Sequence, residues 1–146
     1  MVSTISVDAR AAVSQLMNDF SFDSGIKFLW YRARPTSIRP PQAFIDRMTD
    51  RAEDFLAPAI FQHITTIQVL VLHGIFDQGD TVDQRDRFVD GFWEWVRTRY
   101  HAAGANTLIR VRSSEDDPSY VPEWIPERDR QTYYGTFITL EVEQTD

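Results

Sequence analysis

Hydrophobic side chains recur along this chain with two periods, one near 3.6 residues and one of two, and the two periods separate helices from strands. Val13, Leu16, Met17 and Phe20 fall on one helical face, so a first helix is expected at about Val7 to Phe20. Ser6 or Thr4 can cap it, Asp8 favours the positive end of its dipole, and the run from Ser21 to Gly25 ends it. A second stripe, Phe88, Phe92, Val96 and Tyr100 with Val89 and Trp93 beside it, predicts a longer helix over about Val82 to Ala103. Thr81 and Gln84 have capping-box spacing at its start, and Gly104 is a natural stop.

Alternation of period two marks the strands. In residues 26–34, Phe28, Trp30, Arg32 and Arg34 share one face, while Leu29, Tyr31 and Ala33 share the other. Pro35 and Pro40-Pro41 bound this segment. Gln42 to Met48 reads as another strand, and residues 49–58 lack a clean period and read as a loop or short helical turn. The strongest strand is His63 to Phe76. Ile67, Val69, Val71, His73 and Ile75 face one way and Leu70 and Leu72 the other, the pattern of a central strand covered on both sides. Asn106 to Arg112 is a short strand. Three prolines predict irregular chain through residues 113–130. In Gln131 to Glu143, Tyr134, Thr136, Ile138, Leu140 and Val142 oppose Phe137, Thr139, Glu141 and Glu143. The expectation is a single α+β domain over residues 1–146: a mainly antiparallel sheet of four to five strands packed against two helices.

Composition narrows the classes of function. With no cysteine there are no disulfides, thiolate metal sites or cysteine nucleophile. The first residues lack the basic and apolar regions of a secretory signal, and the longest apolar run, Val69 to Leu72, is far short of the roughly 20 residues of a membrane span. A cytoplasmic protein, with no membrane contact, is the expectation. The net charge of −7 argues against a broad grip on nucleic acid. All but one of the 15 basic residues are arginine, the exception being Lys27, and aromatics make up 13% of the chain. Codon bias is the bland explanation for the arginine. Its suitability for planar, bidentate contacts at interfaces is the functional one.

Catalytic and metal-binding patterns do not stand out. His63 and His73 are too far apart on one strand to share a metal, and no H-x-x-x-H or H-x-H pairs occur. Asp77, Asp80 and Asp83 flank a turn without the spacing of a calcium loop, and turn and cap chemistry explains them. Serine-nucleophile, dinucleotide and phosphate-loop motifs are absent. Two distant carboxylates can still meet in a fold, but no enzyme, cofactor or metal is expected. Contact features carry more. Trp30, Tyr31, Arg32 and Arg34 form a dense aromatic–arginine segment, and Tyr120 and Trp124 stand in the predicted irregular stretch. Large aromatics there bury either against a partner or against their own domain. Trp30, Arg32, Arg34, Tyr120 and Trp124 are the candidate subunit-interface residues.

The opening helix DARAAVSQLMNDF, the segment RPPQAFIDRM, the phrase VLVLHGIFDQGD leading into QRDRFVDGFWEWVRTRY, and the closing strand TYYGTFITLEVE follow one another in a set order. That order resembles the tail terminator proteins of long-tailed bacteriophages. Neck and tail-completion proteins of similar size are near neighbours of that family. The resemblance implies a structural virion protein, a homo-hexameric ring that caps the tail tube and joins it to head-closure or neck proteins. It also implies assembly in the host cytoplasm and a final place in the tail or neck. DNA would pass through such a ring without specific binding. Acidic residues facing the channel would repel phosphate, and Glu115, Asp116, Asp117, Glu141 and Glu143 are the candidates, with plain surface solubility as the alternative role for each. A small dimeric α+β ligand-binding or regulatory domain is the second functional reading, and an enzyme a third.

Overall fold

The computed structural model describes residues 4–58, 60–76, 78–99 and 106–145. Its elements are α1 (Ile5–Ser24), β1 (Leu29–Tyr31), β2 (Gln42–Ala57), β3 (Ile60–Ile75), α2 (Thr81–Arg99), β4 (Thr107–Tyr120) and β5 (Tyr133–Thr145), with a 3-10 turn at Glu127–Asp129. The strands form one sheet in the order β1-β2-β3-β5-β4. Among the described strands, only the β1–β2 pair is parallel. The class is therefore α+β with a mainly antiparallel sheet, as the alternation of the chain predicts.

Both helices lie on one face of this sheet. Val13, Met17 and Phe20 of α1 and Phe88, Phe92 and Val96 of α2 share one buried cluster with Ala43, Ile67, Val69, Val71, Ile138, Leu140 and Val142. Phe20 is the hub, meeting Phe88 and Phe92 edge-on at centroid distances of 5.3 and 5.1 Å. Such edge-to-face pairs add to the stabilisation from area burial alone. Gly25 closes α1 in the left-handed conformation with φ 72°, which suits a residue without Cβ. On the opposite face, Phe44, Leu70, Leu72 and Tyr133 form a second, smaller cluster, joined by Ile38, Tyr120, Trp124 and Phe137. Two connections, 32–41 and 121–132, cover it. The peptide between Pro40 and Pro41 is cis.

Several boundaries differ from the sequence reading, each for a physical reason. The strand at residues 26–34 shrinks to Leu29–Tyr31, because β2 offers partners only at Gln42 to Phe44. Phe28 and Trp30 still face the helices and Leu29 and Tyr31 still face away. Residues 49–58 are not a loop: β2 continues through them, and register shifts after Ile45, Met48 and Phe55 scramble the alternation. A further shift between Leu72 and Gly74 moves Ile75 to the second face. β4 extends to Tyr120 despite Pro118, which lies on a terminal strand beside another register shift, where a missing N–H is tolerated. Thr81 forms no capping box. Its hydroxyl donates to the Ile75 carbonyl at 3.0 Å, and Gln84 turns to Asp80. Gly74 makes room for this contact, since a Cβ there would stand 2.6 Å from the Thr81 hydroxyl oxygen. Tyr100, His101, Ala103, Gly104 and Asp77 lie outside the described residues.

Phe92 is completely buried between the helices and the sheet. Phe92→Ala is expected to destabilise the fold by about 3–5 kcal/mol, measured as a lower urea midpoint with an unchanged slope.

Candidate interaction surface

A polar chain runs from buried His73 and Thr136 out to Asp116 and Arg85 at the surface, beneath the start of α2. His73 falls in the register shift between Leu72 and Gly74 of β3, and its Nε2 reaches Thr136 Oγ1 at 2.8 Å, although the register partner of Thr136 is Val71. Thr136 donates its one hydroxyl proton to Asp116 Oδ1 at 2.9 Å. A carboxylate only accepts, so the hydroxyl must accept from histidine, which places the imidazole proton on Nε2. Asp116 also takes Arg85 Nε at 3.1 Å and Arg85 Nη2 at 3.0 Å, and the Tyr134 hydroxyl at 3.3 Å. This two-point guanidinium contact ties the terminal strand β4 to α2. Burial, reinforced by the nearby Arg85 charge and opposed by Asp116 and Asp86, lowers the His73 pKa to about 4.

Beyond this chain, a groove of about 690 Å³ opens on the second face of the sheet. Gln68 and Phe137 lie along it, Glu115 and Asp117 border it on β4, and Arg34, Asp46 and Trp124 border it on the other side. Trp124 donates to the Pro35 carbonyl at 2.7 Å and meets Phe44 edge-on at 5.6 Å. Arg34 bonds Asp46 at 3.0 Å while its guanidinium lies 4.9 Å from the Trp124 ring. Arg130 holds the covering segment by donating to the Ile125 and Glu123 carbonyls.

The residues singled out in the sequence divide accordingly. Trp30 packs on the helix-side core, and its indole N–H is buried without an acceptor. Tyr120 ends a strand rather than standing in irregular chain, and it packs on Phe137 and Trp124. Both aromatics of the 113–130 stretch thus turn back onto their own sheet. Arg34 is tied within the subunit. Arg32 is exposed and has no partner at hydrogen-bond or ion-pair distance among the described residues. Among the acids, Asp116 is occupied by Thr136, Tyr134 and Arg85. Glu141 meets Arg110 at 2.9 Å and Arg112 at 3.6 Å, and Glu143 meets Arg110 at 2.9 Å. Among the described residues, Glu115 has no such partner, and Asp117 accepts only the backbone N–H of Ser119.

His63 is also buried, with Nδ1 3.6 Å from Glu53. Among the described residues, no group of three or more His, Asp or Glu side chains is placed to hold a metal ion. No described helix is long and apolar enough to cross a membrane. The chain matches no protein-family model, and no curated protein matches it.

Neutral His73 makes stability depend on pH in a definite direction. Its folded pKa of about 4 lies below the ordinary 6.5, so on acidification the unfolded chain takes up the proton first. The stabilisation is complete above pH 6.5 and is lost as pH falls through the window from 6.5 to 4, by an amount on the order of 3 kcal/mol. Urea unfolding across that window is expected to show this slope, and His73→Gln to flatten it.

Proposed function

We propose that the protein is a structural ring subunit of a phage tail, a tail terminator that caps the tube and meets the head-closure or neck proteins. The observation that carries this reading is a five-stranded sheet with terminal strands on opposite sides and both helices on one face. A subunit built this way offers two different edges to its neighbours, and head-to-tail contact between different surfaces is what closes a ring. The order of elements in the sequence supports the same family. Six copies is the number the resemblance implies.

The net charge of −7 favours passage of DNA over gripping it. Ion pairing of Glu141 and Glu143 with Arg110 and Arg112 reduces what those two acids add to a repulsive channel wall, so repulsion rests on the surplus charge of the assembly. One observation favours the second reading, a dimeric ligand-binding domain: the groove over Phe137. Its borders are charged, whereas small-ligand sites are mostly apolar.

Native mass spectrometry tests the reading. A species near 102 kDa, six times the 17.0 kDa chain, is the expected outcome, without salt-sensitive binding to duplex DNA. A stable species near 34 kDa, two chains, would favour the dimer. Tight, salt-sensitive DNA binding by a ring would favour a neck component that holds DNA.

A further inference from the structure

The two terminal strands carry opposite, unspent charge at the same height of the sheet. Following the register across, Tyr31 pairs with Phe44, Phe44 with Leu70, Leu70 with Phe137, and Phe137 with Glu115. Leu29 connects in the same way, through Gln42, Leu72 and Gly135, to Asp117. So β1 and the acidic segment of β4 stand level with each other on opposite sides of the molecule. β1 is flanked by Lys27 and Arg32, both exposed and both without a hydrogen bond or ion pair among the described residues. The β4 segment presents Glu115 and Asp117 with no cation paired to either among the described residues.

Strand direction fits as well. β1 runs with β2, while β4 runs against β5, which runs against β3, which runs against β2. β4 therefore runs opposite to β1. When two copies stand side by side in the same orientation, the β4 of one meets the β1 of the next antiparallel.

We infer that β4 of one copy, through Glu115 and Asp117, docks on β1 of a second copy, between Lys27 and Arg32, and continues the sheet from subunit to subunit. This deepens the ring reading and rests on it. Backbone pairing supplies affinity in such strand addition, and side chains supply selection. Selection here works in two directions. The acids of β4 attract the cations beside β1, whereas a β4-to-β4 contact would place Glu115 and Asp117 of both copies together and repel. Charges on terminal strands commonly block pairing. Opposite charges on opposite edges block the symmetric contact and permit the head-to-tail one. Leu29 and Tyr31, each 43% exposed, supply apolar surface that docking would bury.

The test is a charge exchange read by native mass spectrometry and sedimentation of the full chain. One variant carries Glu115→Lys with Asp117→Asn, which keeps an acceptor for the Ser119 N–H. The other carries Lys27→Glu with Arg32→Glu. Each alone is expected to assemble at least tenfold more weakly than the unmodified protein, and an equimolar mixture to recover the full mass, because the two kinds can alternate around an even-numbered ring. Unchanged assembly by both variants, or no recovery on mixing, overturns the edge assignment while leaving the ring reading intact. An unmodified protein that stays monomeric at all concentrations overturns the ring reading itself. Circular dichroism checks that the variants fold. Should either fail, Glu115→Gln and Arg32→Gln replace them, and the expected result is weaker assembly with a smaller response to salt; an unaltered salt response overturns the assignment.

Discussion

The central strand β3 must be covered on two sides at once. Val69 and Val71 face the helices while Leu70 and Leu72 face away, and all four are buried. Two helices with apolar stripes satisfy the first side. Neither described helix covers the second, so proline-bearing connections do the work there, with Trp124 edge-on to Phe44 and Ile38 beside it. That requirement explains why large aromatics in irregular chain fold inward, and why the far half of the second face carries polar pairs such as Arg110 with Glu141 instead of a core.

Legibility in the sequence followed the regularity of the backbone. β3, β5 and α2 hold an unbroken period over most of their length, and their faces were readable position by position. Thr136, Ile138, Leu140 and Val142 face the helices as alternation demands. The second half of β2 was hidden because its register shifts add residues that belong to neither face, and Pro118 concealed the end of β4. The polar chain from His73 to Arg85 was legible only in part. Alternation put His73 and Thr136 on inward faces, but their meeting depends on strand register and on a shift that no local pattern announces. Thr81 is a similar case: its spacing to Gln84 suggested a cap, but a strand carbonyl, close because Gly74 lacks a side chain, competed successfully for its hydroxyl.

Electrostatics separates two populations of charge. Asp116, Glu141, Glu143, Arg85 and Arg110 neutralise one another within the subunit, and the exposed members among them contribute little individually. Lys27, Arg32 and Glu115 have no such commitment among the described residues. If copies dock edge to edge as proposed, these charges would act on orientation and partner choice more than on the stability of the monomer.

The clamp at Asp116 also has a mechanical meaning. A terminal strand held only by its ladder on one side can peel away when pulled. Here Asp116 fastens β4 to helix α2 through Arg85 and to the two inner strands through Thr136 and His73. The start of α2 is in turn bolted to β3 where Thr81 grips the Ile75 carbonyl. A tug on the outer strand is thus shared among three strands and a helix before any one ladder bond carries it alone, and the domain takes load as a block.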